Sequence, residues 1–125
     1  MNALGRHLLL ELKDCNREII NDVEFLMHLL CETAEHIGAT IVNQAFHQFS
    51  PQGVSVVVVI AESHIGIHTW PEYGYAAADI FTCGNTINPQ DAIELLVRKL
   101  EAKESSFVEL QRGILQDNKV ICGIK

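Results

Sequence analysis

The 125-residue sequence predicts an α+β fold: a two-layer sandwich in which a mainly antiparallel sheet carries two helices on one face. Three observations predict it. Several short stretches alternate apolar and polar residues with period two, two longer stretches repeat apolar residues at helical spacing behind capping residues, and the order is strand, helix, strands, helix, strand.

Arg6 to Leu12 reads as the first strand, with Leu8, Leu10 and Leu12 on one face. Asn21 stands as the N-cap of a first helix, with Asp22 and Glu24 in its opening turn. Val23, Leu26, Leu29, Leu30, Thr33 and Ile37 recur at helical spacing up to Gly38, a good stop. His28 and His36 fall off that stripe and read as solvated. Ala39 to Phe49 reads as a strand and Ser50-Pro51-Gln52-Gly53 as a turn. Val54 to Ala61, with four consecutive valines, reads as a fully buried strand. Ile65 to Thr69 and Tyr75 to Cys83 form a hairpin around Pro71 and Gly74. Asn88-Pro89-Gln90-Asp91 opens a second helix with a cap, a proline and an acid, and Ala92, Leu95, Leu96, Lys99 and Leu100 trace its buried stripe. Ser105 to Gln111 reads as a last, central strand, and the stretch from Gly113 to Lys125, with its VICGI segment, as an edge strand or a tail. With both helices on one face of the sheet, the other face needs a cover, and the valines offer a surface for dimerisation.

Length and composition predict a single domain over residues 1–125, with 48% hydrophobic residues to build a core. A net charge of -7 with no Lys/Arg cluster argues against nucleic acid as a partner, because phosphate binding needs a basic surface. The longest apolar run, Val54 to Ala61, falls well short of the roughly 20 residues of a membrane span. The N-terminus lacks the pattern of a signal peptide, so a cytoplasmic protein with no membrane association is expected. Cys15, Cys31, Cys83 and Cys122 form no CxxC pair, which favours free thiols.

Reactive side chains concentrate between Glu62 and Gly84. On an extended chain His64, Gly66 and His68 share one face and Ile65 and Ile67 the other, and the hairpin can bring Ser63, His68 and Cys83 into one neighbourhood. His64, His68, Glu72 and Cys83 are residue types that ligate zinc. Metal binding, metal-free chemistry and a purely structural role for His68 all stay open on the residues alone.

The runs LGRH, SPQGVSVVVVIAESH and IHTWPEYGYAAADIFTCG, with ESH, HTWPE and FTCG in that order, resemble the short S-adenosylmethionine decarboxylase proenzymes of bacteria and archaea. The resemblance is strong from Leu4 to Gly84 and reaches the second helix and last strand in pattern. Gly66 stands where alanine or another small residue is expected, and the tail after Arg112 carries no motif residue.

The resemblance implies autocatalytic cleavage between Glu62 and Ser63 into chains of residues 1–62 and 63–125, the second beginning with a pyruvoyl cofactor made from Ser63. It implies that Ser55 and His68 assist the processing, that the pyruvoyl ketone forms a Schiff base with S-adenosylmethionine as substrate, and that Cys83 protonates the product. An ordinary thiol is largely protonated at neutral pH, which suits that role. Phe49 would stack on the adenine and Glu72 would accept hydrogen bonds from the ribose. No metal is implied. The product would be the aminopropyl donor of spermidine synthesis, and the active sites would form between the protomers of a homodimer: Ser63 and Cys83 from one, Ser55, His68, Phe49 and Glu72 from the other. The alternatives are a pyruvoyl-dependent decarboxylase of arginine or ornithine, and an unprocessed ligand-binding or regulatory homologue. Intact Ser55, Glu62, Ser63, His68 and Cys83 argue against the last.

Overall fold

The computed structural model describes residues 3–115. Strand β1 (Ala3–Lys13) is followed by a short 3-10 helix (Ile19–Asn21) and helix α1 (Val23–His36). Strands β2 (Ile41–Gln48), β3 (Val54–Ile60), β4 (Ser63–Trp70) and β5 (Tyr75–Cys83) come next, then helix α2 (Ile93–Leu100) and strand β6 (Glu104–Ile114). The strands form one antiparallel sheet in the order β2-β3-β4-β5-β1-β6. This is the expected α+β sandwich.

Alternation sorts the sheet into two faces. Leu8, Leu10 and Leu12, Val54, Val56, Val58 and Ile60, Ile65 and Ile67, and Ala76, Ala78 and Ile80 point one way and close a core with Leu26, Leu29 and Leu30 of α1 and Leu95, Leu96 and Leu100 of α2. Burial of these aliphatic groups is the main stabilising term. Thr69 lies among them and is satisfied there: its hydroxyl donates to the Ile20 carbonyl at 2.7 Å and accepts from the Val54 N–H at 3.0 Å.

The opposite face is open and carries Leu9, Val59, Trp70, Val108 and Leu110, each more than a third exposed. The expectation that Val54 to Ala61 is fully buried is therefore corrected, since both helices cover the same side and Val59 is 41% exposed. Ser105 to Gln111 is not central either: β6 pairs only with β1 and forms the edge, and its pattern of exposed residues fits that place. Helix α1 is capped by Asp22, whose carboxylate accepts from the Phe25 N–H, rather than by Asn21. Asn21 closes the preceding 3-10 turn, and its side chain accepts instead from the Gly53 N–H and the Gln48 amide. Asn88 caps its turn as expected, accepting from the Gln90 N–H. His28 and His36 are exposed. The VICGI segment lies outside the described residues.

Candidate active site

Across the open face, antiparallel register lines side chains into rows. Val59, His64, Phe81 and His7 form one row, Val57, Gly66, Asp79 and Leu9 the next, and Ser55, His68, Ala77 and Glu11 a third. These rows place the residues singled out by sequence at opposite ends of β4.

At one end stands Ser63, the first residue of β4, directly after the two-residue connection Ala61-Glu62. Its φ of 150° is a conformation that L-residues rarely adopt, and such backbone strain costs about 1–3 kcal/mol. Glu62 is held beside it, its carboxylate accepting from the Thr40 N–H at 3.2 Å. Ser63 pairs with Thr82 of β5, and Cys83, one position further on, is buried opposite Gly5 of β1. The Thr82 side chain is also buried, and its Oγ1 has no hydrogen-bond partner among the described residues.

Ser55 and His68 meet at the other end, with Ser55 Oγ 2.7 Å from His68 Nδ1 across the β3–β4 pair. Phe49 and Glu72 lie at that end too. Phe49 follows β2, is 48% exposed and packs edge-on against His47 with ring centroids 4.5 Å apart. Glu72 is exposed in the 3-10 turn Pro71–Tyr73, where its carbonyl accepts from Arg17. Trp70 packs against Tyr75, whose hydroxyl donates to Glu11 at 2.7 Å.

Ser63 and His68 are therefore not neighbours within one chain. They stand five positions apart on a straight strand, about 16 Å at about 3.3 Å per residue, so the hairpin gathers Ser63 with Cys83 and leaves His68 with Ser55. The same geometry dissolves the zinc set His64, His68, Glu72 and Cys83, whose members lie at both ends of the strand.

The group that sequence reasoning missed is His7, His64 and Asp79. Both imidazole Nε2 atoms lie 2.7 Å from one carboxylate oxygen of Asp79, and His7 Nδ1 accepts from Arg112 at 2.8 Å. Burial alone would push the Asp79 carboxyl up, but the hydrogen bonds from His64 and His7 together outweigh it and hold it below its ordinary value of 3.8. Three such ligand atoms could hold a cation. However, the Arg112 donor fixes His7 with its proton on Nε2, aimed at Asp79, so binding a cation there requires both displacing that proton and facing a guanidinium. The donor set fits a hydrogen-bond network better than a metal centre. Gly66 lies beside it: a Cβ at that position would stand 3.1 Å from the other Asp79 oxygen, close enough to need a shift of a few tenths of an ångström.

Of the remaining described cysteines, Cys15 donates its backbone N–H to the Gly74 carbonyl, just past the turn that carries Glu72, and Cys31 lies in helix α1. Burial, then the neighbouring Asp14, push the Cys15 thiol up to about 11, which makes it a poor nucleophile at neutral pH. Burial, then Glu35, likewise raise Cys31. No helix among the described residues is long and apolar enough to cross a membrane.

Comparison with known proteins identifies the family. The family model described as S-adenosylmethionine decarboxylase matches residues 6–113. The chain is 54% identical to the S-adenosylmethionine decarboxylase proenzyme of Thermodesulfovibrio yellowstonii over 92% of its own length and 85% of that protein's. It is 50% identical to the proenzyme of that name from Clostridium kluyveri, covering 93% of this chain and 92% of the relative. The crystal structure of the adenosylmethionine decarboxylase from Aquifex aeolicus superposes with a TM-score of 0.85 at 34% identity, covering 92% of this chain and 95% of that one. A Trypanosoma brucei AdoMetDC monomer shares the fold alone, with a TM-score of 0.61 at 13% identity, and the chain spans 54% of its length. The chain belongs to the S-adenosylmethionine decarboxylase family.

Proposed function

We propose that the chain is a self-processing S-adenosylmethionine decarboxylase whose reacting residue is Ser63. The observation that carries this assignment is the strained backbone of Ser63 at the head of β4, one register position from the buried thiol of Cys83. Strain at the peptide that must break is relieved when it breaks.

In the processing reaction Ser63 Oγ attacks the Glu62 carbonyl carbon. The new C–O bond forms, the C–N bond to Ser63 breaks, and the nitrogen leaves as an amine, giving an ester. Ser55 hydrogen-bonds the oxygen of that intermediate. His68 then takes the Ser63 α-proton, the ester C–O bond breaks, and Glu62 departs as a free carboxylate. Addition of water and loss of ammonia leave a pyruvoyl ketone on the chain of residues 63–125.

Residue 63 fits such a group. It sits at a strand end and needs no side chain afterwards, with Cys83 and the unpartnered Thr82 hydroxyl at adjoining positions of β5. When present, the ketone supplies the electron sink for loss of CO2 that ordinary side chains lack. Cys83 delivers a proton to the carbon that has lost CO2. Phe49 stacks on the adenine and Glu72 accepts from the ribose hydroxyls, which is why the nucleoside substrate is preferred over arginine or ornithine.

His68 lies too far from Ser63 to serve it within the chain, so the homodimer supplies it. A second copy laid antiparallel on the open face would bring the Ser55–His68 end of one sheet over the Ser63–Cys83 end of the other, covering Leu9, Val59 and Leu110. Each of the two sites then draws on both protomers. A cytoplasmic location suits the free thiol.

Intact mass under denaturing conditions tests this reading, before and after incubation with S-adenosylmethionine and a hydride reductant. The expected result is two fragments divided between Glu62 and Ser63, with the substrate trapped on the second. Cys83→Ala should cleave yet decarboxylate about a hundredfold or more slower, the scale of a lost proton donor. An uncleaved wild-type chain would sink the proposal.

A further inference from the structure

Thr82 combines two properties that rarely occur together. Its side chain is 0% exposed, and its hydroxyl lacks any partner among the described residues, although buried polar groups are almost always hydrogen-bonded. The fold offers no structural reason for that hydroxyl: valine has the same shape and would suit the aliphatic core face of β5 beside Ile80. Thr69, on the same face of β4, shows the ordinary alternative, with its hydroxyl bound to Ile20 and Val54.

Register shows what the idle hydroxyl faces. Thr82 is the direct partner of Ser63, and opposed residues of an antiparallel pair carry their Cβ atoms about 4.5–5.5 Å apart, within reach of a hydrogen bond between short hydroxyl side chains. Two unfavourable features thus share one rung of the sheet, a strained serine backbone and an unsatisfied threonine hydroxyl.

We propose that Thr82 is a further catalytic residue of self-cleavage, its hydroxyl binding the oxygen carried by residue 63 as that oxygen attacks Glu62. The inference rests on the reading of Ser63 as the reacting residue. It assigns the buried hydroxyl a hydrogen bond that is not made in the precursor and forms as the reaction proceeds, so the group costs stability in the precursor and favours the path out of it. Covalent changes remain those of the processing reaction; Thr82 contributes a hydrogen bond and exchanges no atoms.

The test compares Thr82→Val with Thr82→Ser in the full chain, following cleavage by intact mass over time. Stability is measured separately in a Ser63→Ala background, where no cleavage intervenes. Valine should slow cleavage by at least about tenfold, as loss of a hydrogen bond to a reacting oxygen does, while serine keeps the rate within about threefold of wild type. In the uncleavable background Thr82→Val should melt a few degrees higher, because removing an unsatisfied buried hydroxyl is stabilising. A residue that merely supports the fold cannot slow the reaction and raise the melting temperature together. Cleavage of Thr82→Val at the wild-type rate overturns the proposal, as does a lower melting temperature or failure to fold. A wild-type chain that never cleaves between residues 62 and 63 overturns the Ser63 reading instead, and the two failures are told apart by that control.

Discussion

Ser55 and His68 face each other across β3 and β4 with 2.7 Å between Oγ and Nδ1, while Ser63, the residue we propose His68 serves, stands at the far end of the same strand. Separation of the pair from its target makes the site divisible between copies.

Complementation follows from that division. Neither Ser63→Ala nor His68→Ala alone should cleave. Coexpression of the two should restore cleavage, confined to the chains that carry His68→Ala, because those retain Ser63 and borrow His68 from their mates. Mass spectrometry distinguishes the chains, and cleavage absent from the mixture would leave the shared site without support.

Asp79 predicts an acid dependence. Its folded value is depressed by His64 and His7, so its contribution is present above the ordinary value of 3.8 and is lost as pH falls through the lower folded value. In an uncleavable background Asp79→Asn should therefore melt below the parent at about pH 5, with the gap closing below about pH 4. A gap that widens on acidification would contradict the network.

Thr69→Val should lower stability by about 1–3 kcal/mol, since the Val54 N–H and the Ile20 carbonyl both lose a buried partner. A urea midpoint that falls with an unchanged slope would confirm it. This is opposite in sign to the same substitution at Thr82.

Gly5 and Gly66 should respond unequally to alanine. A Cβ at Gly5 would stand 2.5 Å from the Phe81 ring and 2.7 Å from the Thr82 carbonyl, and backbone cannot yield as a side chain can. Overpacking of that kind costs about 1–3 kcal/mol and strikes the strand that carries Cys83, so both melting temperature and cleavage rate should drop. At Gly66 the neighbour is the end of the Asp79 side chain at 3.1 Å, and a small shift absorbs the methyl. Thermal melts of both variants would check the order.

Elements governed by local periodicity were legible in the sequence. Strand β1, both helices and the β4–β5 hairpin fall where the apolar spacing puts them, and the faces of Leu8, Ile65 and Ile80 follow by alternation. Relationships set by partners distant in the chain were not. The valines of β3 read as buried on both sides because sequence does not reveal that both helices choose one face. Nothing local distinguishes β6 as an edge. His7 and Asp79 are 72 positions apart, and only the β1–β5 register brings them together. The separation of Ser63 from His68 was not legible in the residue spacing, which placed the two together along the hairpin, and a site divided between protomers rests on the family resemblance.

Strand order carries a consequence for the proposed cleavage. A break between Glu62 and Ser63 assigns β1, β2 and β3 to one piece and β4, β5 and β6 to the other, and β1 lies between β5 and β6. The pieces are interleaved, so neither can leave without tearing the sheet at three seams. Folding of the intact precursor is a one-body search, whereas reassembly of the cleaved product requires two chains to meet. Processed protein should survive by the slowness of its unfolding, and after denaturation its recovery should rise with concentration while that of an uncleavable Ser63→Ala chain does so far less.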